Sequence, residues 1–281
     1  MTEEETVNFK VDGQQVIGTL RMPEKVEGPF YLLLHGFGGS RDELRIASTG
    51  EGIFAYVART LAALGFPSLR IDFRGSGDSD GRFSDTTYSK QVADAVAAME
   101  FLDSRTASVH TGIHTGIIVL GWSQGGLVAA IAAAQTKRPV GVALWAAVAE
   151  PKVSFPKLIG MDVYNRGLNS AIATDLTMPW GATLGVGPDF FAEVENVAPL
   201  SEIGAFPGPL FIAEGTLDMD IPAGSAQQYA DAHNGRNRVW TAPMNHIFNT
   251  DKGTATLEQL IEATVAFFQE AGSLSQTRHF P

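Results

Sequence analysis

The stretch "TGIIVLGWSQGGLVAAIAAAQ" (115–135) decides the fold. An apolar run (115–121) meets a glycine-rich turn and passes at once into an alanine-rich run (125–135). A short apolar run bounded by glycine reads as a buried strand, and the longer alanine-rich segment as a helix. Between them lies "GWSQGG" (121–126), in which Ser123 stands two residues from Gly121 and two from Gly125. A sharp strand-to-helix turn crowds the positions two before and two after its apex, so both favour glycine. Such a turn lifts a serine clear of a sheet.

The pattern repeats outward in both directions. "FYLLLHG" (30–36) reads as a strand and "EGIFAYVARTLAALG" (51–65) as a helix stopped by glycine. "FPSLRIDFRG" (66–75) is a strand, and "YSKQVADAVAAMEFL" (88–102) places Val92, Val96, Met99 and Leu102 on one helical face. "PVGVALWAA" (139–147) and "GPLFIAEG" (208–215) are strands, followed by a helix near 222–232, the strand "NRVWTA" (237–242) and a helix near 254–270. Alternation with continuously apolar strands implies an α/β fold, a mainly parallel sheet with helices on both faces. Residues 5–21 suit an antiparallel hairpin at the sheet edge. The connection 148–207 is too long for a crossover. Its aromatic and apolar content marks 150–205 as an inserted cap, with 1–149 and 206–281 forming the core domain.

Composition narrows the function. The 281 residues are 44% hydrophobic and 18% charged, with a formal net charge of −11. That charge is wrong for nucleic acid and for anionic membranes. With no cysteine there is no thiol nucleophile, disulfide or zinc–thiolate site. The start "MTEEETVNFK" has no apolar signal-peptide core, and no apolar run reaches membrane-spanning length, so the cytoplasm is the expected location.

Serine chemistry at Ser123 needs a base, an acid and an oxyanion site. Gln124 offers a backbone N–H at a helix N-terminus. The loop "HGFGGS" (35–40) follows a strand and has glycines that let its backbone approach a ligand, and the N–H of Phe37 is assigned as the second donor. No Lys follows in a G-K-[ST] arrangement, which argues against a nucleotide loop. Of six histidines, His246 in "APMNHIFN" lies after the last strand, where α/β sheets place their sites. It is the expected base. His35 is expected to shape its loop, and His110, His114, His233 and His279 to be structural or solvated. "EGTLDMDIP" (214–222) supplies Asp218 and Asp220, each able to serve as a mere turn former. The spacing from Gly215 to Pro222 favours Asp218 as the acid.

The order Ser123, Asp218, His246 is that of α/β-hydrolases. With "HGFGGS", "DFRGSGDSDG" (72–81), "GWSQGG", "GTLDMDIP" and "NHIF", the chain resembles that superfamily over about residues 15–270, and bacterial cinnamoyl and feruloyl esterases most. The resemblance implies an eight-stranded, mostly parallel sheet and a serine carboxylesterase acting on small-molecule esters. It implies Ser123, Asp218 and His246 as triad and Phe37 and Gln124 as oxyanion donors. Trp122 departs from the usual elbow, and the cap does not match, so specificity does not transfer. A thioesterase, lactonase, C–C hydrolase or peptidase could use the same triad, and a binding protein with little turnover could use the same fold.

Trp122, Trp180 and Phe190 are substrate-binding candidates, with Phe155 and Phe191 beside them; each could equally be core. Asp72 and Arg74 read as a charged pair tying the loop after their strand. Asp78 and Asp80 fail the calcium-loop spacing, and no metal or cofactor is implied. A homodimer is compatible with this reading.

Overall fold

The computed structural model describes residues 3–108, 116–178 and 181–277. Its centre is an eight-stranded sheet. The strands are β1 (Glu3–Val11), β2 (Gln14–Met22), β3 (Phe30–Leu34), β4 (Ser68–Ile71), β5 (Ile117–Trp122), β6 (Gly141–Trp145), β9 (Leu210–Gly215) and β10 (Asn237–Ala242), in spatial order β1-β2-β4-β3-β5-β6-β9-β10. From β4 to β10 every neighbouring pair is parallel, and β1 and β2 are antiparallel.

The edge hairpin turns on Asp12–Gly13, both at positive φ (49° and 82°), the two-residue geometry that suits the strand twist. Every residue of β3, β4, β5 and β6 is buried, because helices cover both faces. One face carries α1 (Ile53–Ala63) and α9 (Ala255–Thr277). The other carries α2 (Tyr88–Ser108), α3 (Gln124–Thr136) and α8 (Ser225–Ala232). Helix α3 is buried along all of Gln124–Ala134. Its alanines let it sit close to β5 and β6 while α2 and α7 (Pro199–Ile203) cover it.

Between β6 and α7 the chain forms α4 (Pro151–Ile159), α5 (Met161–Leu168), the antiparallel pair β7 (Thr174–Thr177) and β8 (Thr183–Val186), and α6 (Pro188–Asn196). Phe155, Tyr164, Phe190 and Phe191 from this inserted segment are buried in the same cluster as α2 and α3. No helix of the described residues is long and apolar enough to cross a membrane.

One expected contact is overturned. Asp72 and Arg74 do not pair with each other. The chain leaves β4 at Ile71 and turns through Phe73–Ser76, where the Ser76 N–H meets the Phe73 carbonyl at 2.9 Å. Arg74 therefore reaches α2, pairing with Asp94 at 2.6 Å and also with Asp12 at 2.9 Å. Asp72 turns the opposite way, accepting from the Arg41 N–H at 2.6 Å and from its guanidinium.

Candidate active site

Ser123 stands between β5 and α3 with φ 56° and ψ −119°, a backbone state costly for a side-chain-bearing residue. The neighbouring glycines explain how the chain tolerates it. A Cβ at Gly121 would lie 2.1 Å from the Gly125 carbonyl oxygen, and one at Gly125 would lie 2.1 Å from that of Leu34. At Gly126 it would meet the Ala147 side chain at 2.5 Å. The turn is pinned by the Ser123 N–H, which donates to the Trp145 carbonyl at 2.9 Å.

Loops from β9 and β10 bring the other two groups. His246 Nε2 lies 3.1 Å from Ser123 Oγ, and Nδ1 lies 2.8 Å from Asp218 Oδ2. Asp218 Oδ1 accepts from the N–H groups of Asp220 (2.9 Å) and Ile221 (3.0 Å). Desolvation works to raise the Asp218 pKa. The His246 hydrogen bond and charge, with those two N–H donors, outweigh it and hold the group below its ordinary value. A carboxylate so held keeps a proton on Nδ1 and leaves Nε2 free to accept one.

The loops are tied to each other. The Leu217 N–H donates to the Met244 carbonyl at 3.1 Å. Asn245 and Asn249 exchange side-chain-to-backbone hydrogen bonds at 2.7 and 3.1 Å around His246. Trp122 adds a bond the sequence did not reveal, since its indole N–H donates to the His246 carbonyl at 3.1 Å. Its ring lies 5.5 Å from the imidazole and 5.4 Å from Phe248.

Phe37 and Gln124, the two expected donors, stand on either side of the elbow's serine in sequence order, one on the loop after β3 and one at the start of α3. Both line the cleft that contains Ser123 and His246, and among the described residues neither backbone N–H meets a protein acceptor. The Gln124 side chain turns away and donates to buried Gln91 at 2.8 Å. The Phe37 ring is anchored between Phe83, Phe155 and Phe190, at 5.3, 5.2 and 5.4 Å. His35 shapes the loop as anticipated. Its Nε2 accepts from the Phe73 N–H at 3.2 Å, so Nδ1 carries the proton and donates to the Gly36 carbonyl at 2.8 Å. Burial lowers its pKa and keeps it neutral.

The cleft encloses about 150 Å³ and is mostly apolar, with Leu44, Tyr88, Trp122, Phe155, Leu158 and Ile221 in its walls. Of the substrate-binding candidates, Trp122 lines it. Phe190 is fully buried behind Phe37 and Phe155 and is not in its lining. The position is a core one because Phe190 packs on Tyr88 at 4.9 Å, beneath the cleft wall. Phe155 lines the cleft, whereas Phe191 is core. Trp180, His110, His114 and His279 lie outside the described residues. His233 is buried, with Nε2 3.1 Å from the Phe206 carbonyl oxygen.

Asp220 is exposed, and among the described residues the imidazole's carboxylate hydrogen bond is to Asp218 rather than to Asp220. Asp218, Asp220 and His246 could bring three ligand atoms within 4.8 Å. The His246–Asp218 bond and the two backbone donors already engage most of those atoms, a donor set suited to orienting a proton rather than a cation.

Comparison with known proteins agrees with this fold. Residues 31–153 match the model of a family described as alpha/beta hydrolase fold. The structure is similar to Est1E from Butyrivibrio proteoclasticus with ferulic acid bound, at a TM-score of 0.75 and 21% identity, covering 95% of this chain and 99% of that one. It is similar to mouse alpha/beta hydrolase domain-containing protein 10 (TM-score 0.72, 17% identity, 95% and 99% covered). It is also similar to an esterase from Pyrococcus furiosus (TM-score 0.70, 17% identity, 96% and 92% covered). No curated protein matches the sequence significantly. The chain has the α/β-hydrolase fold.

Proposed function

We propose that the protein is a serine hydrolase that cleaves small carboxylic esters through an acyl-enzyme. The observation that carries this reading is the continuous hydrogen-bonded line from Asp218 through His246 to Ser123, ending at a strained elbow beside two unengaged N–H groups.

In the first half-reaction Ser123 Oγ attacks the ester carbonyl carbon and its proton passes to His246 Nε2. The carbonyl electron pair moves onto oxygen, and the Phe37 and Gln124 N–H groups hold the resulting oxyanion. Asp218 stabilises the imidazolium. The tetrahedral adduct collapses, His246 returns the proton to the departing alcohol, and Ser123 keeps the acyl group. Water repeats the sequence, with His246 taking its proton, and the acid is released. No cofactor enters the balance.

The apolar cleft favours esters with short-chain or aromatic acyl groups, and the ferulic acid held by Est1E is in keeping with the aromatic option. The inserted segment acts as a cap, contributing Ser154, Phe155 and Leu158 to the wall.

Ser123→Ala is expected to lower turnover of p-nitrophenyl butyrate by about a thousandfold or more. A fluorophosphonate probe should label wild-type protein at Ser123 only. Undiminished turnover by the variant would remove Ser123 from the mechanism. Failure of the folded wild type both to label and to turn over ester, thioester and amide probes would indicate a binding protein instead.

A further inference from the structure

The loop after β3 carries a group that this reaction leaves unused. Glu43 lies three residues beyond "HGFGGS", in a turn closed by its own N–H to the Ser40 carbonyl at 3.0 Å. Its φ of 62° is in the left-handed region that a residue with a side chain seldom adopts. The conformation sends the carboxyl group back to the loop it came from. Oε1 accepts from the Gly36 N–H at 2.6 Å, and the Leu44 N–H also donates to the group.

Two loop glycines make room for it. A Cβ at Gly39 would lie 2.6 and 2.7 Å from the two carboxyl oxygens. A Cβ at Gly36 would lie 3.6 Å from Glu43 Oε1 and 3.5 Å from Ser123 Cβ. The carboxyl group and the Ser123 side chain therefore both lie against Gly36, one residue before the Phe37 donor. Both residues line the cleft.

The surrounding charges are engaged elsewhere. Arg41 is bound to Asp72 and Asp78, and Asp42 to Arg70. His35 is neutral and tied to Gly36 and Phe73. Among the described residues, Tyr88, Asp220 and His246 are the other titratable side chains of the cleft. Among the described residues no ion pair involves Glu43. Desolvation pushes its carboxyl pKa up to about 8, against the pull of the Gly36 and Leu44 N–H groups.

We propose that Glu43 is the positioning residue of the oxyanion hole: as a neutral acid it fixes the Gly36–Gly39 loop from inside the cleft, and as a carboxylate it sets a negative charge beside the forming oxyanion. Ionisation leaves the hydrogen bonds in place, since a carboxylate accepts from N–H groups at least as well. What changes is the field at the hole. A like charge in a poorly solvated site opposes the oxyanion and leaves the neutral substrate almost unaffected. The loss falls on kcat. This inference rests on the serine-hydrolase reading above.

The test is hydrolysis of p-nitrophenyl butyrate from about pH 6 to about pH 10 by wild type, Glu43→Gln and Glu43→Ala, with fluorophosphonate labelling and thermal melts of each. Wild-type kcat/KM should fall as pH rises through about 8. Glu43→Gln keeps an amide oxygen for the Gly36 N–H and cannot ionise, so it should retain most of the neutral-pH activity and lack the alkaline fall. Glu43→Ala should lower kcat about ten- to a hundredfold at neutral pH with KM within about twofold. Three results would each overturn the proposal: an unchanged kcat in Glu43→Ala, a loss in that variant confined to KM, or an alkaline fall that persists in Glu43→Gln. If Glu43→Ala does not fold, the Glu43→Gln profile decides alone. A wild type that neither labels nor turns over refutes the hydrolase reading itself, an outcome separate from all of these.

Discussion

At the scale of single residues, the site depends on atoms that are missing. Gly125 has no Cβ, and one placed there would stand 2.1 and 2.5 Å from the carbonyl oxygens of Leu34 and His35. Those atoms belong to β3 and the loop after it and cannot swing aside as a flexible side chain could. Gly125→Ala should therefore destabilise the fold by at least about 1–3 kcal/mol, as overpacking does, and displace the loop that holds Phe37. Urea unfolding beside steady-state kinetics checks both effects; a variant with wild-type midpoint and wild-type kcat would show that the loop can yield. This steric logic is why the elbow was readable in the sequence, for the constraint involves residues two positions apart. Glu43 was not readable. In "GGSRDEL" it looks like one more solvated charge, and neither its positive φ nor its turn toward Gly36 leaves a mark in composition or spacing. Trp122 was legible as a departure from pattern but not in its role, because its partner is a backbone carbonyl 124 residues away.

At the scale of elements, the alternation of strand and helix carried the core, and the order Ser123, Asp218, His246 followed from which loops leave the ends of β5, β9 and β10. The inserted segment was harder. Its length and aromatic content marked it as structured, but which aromatic faces the cleft depends on how α4 and α6 pack on the loop after β3. Phe155 on α4 decides that. It is buried, lines the cleft and touches Phe37 at 5.2 Å and Phe190 at 5.1 Å. Phe190, one layer deeper, touches Phe37 too but only as core. Phe155→Ala should cost about 3–5 kcal/mol of stability and also loosen the Phe37 ring, lowering kcat/KM for short-chain esters. Differential unfolding and kinetics on the same preparation separate the two. Stability lost without any change in kcat/KM would mean that the loop is held from the β3 side alone.

At the scale of the whole molecule, two apolar clusters on opposite faces of one sheet make the fold, and displaced titrations decide how its stability varies with pH. Glu51, held down by its hydrogen bond to Arg59, and Glu258, held down by Tyr56, stabilise the fold above the unfolded carboxylate pKa of about 4, and this is lost as pH falls through their folded values. Buried His35 and His233 have lowered pKa values, so the stability they contribute is complete above about pH 6.5 and fades below it. Asp94 and Glu43 act in the other sense. Burial raises Asp94 to about 6 and Glu43 to about 8. The folded chain then keeps protons that the unfolded chain has released, so stability falls with rising pH from about 4 up to each folded value. Below about pH 6.5 the histidines and these two acids oppose one another. Between about pH 6.5 and about pH 8 only Glu43 among the displaced groups of the described residues still titrates, and its contribution is destabilising. The melting temperature should accordingly hold a plateau near pH 5 to 6.5 (about the range in which the opposed groups balance) and decline toward pH 8, and Glu43→Gln should flatten the decline. Calorimetric scans of both proteins across that range check it. A wild-type melting temperature that is level or rising from about pH 6.5 to 8 would place the Glu43 carboxyl group in the ionised state throughout, and the same scans would then show the glutamine variant no flatter than its parent.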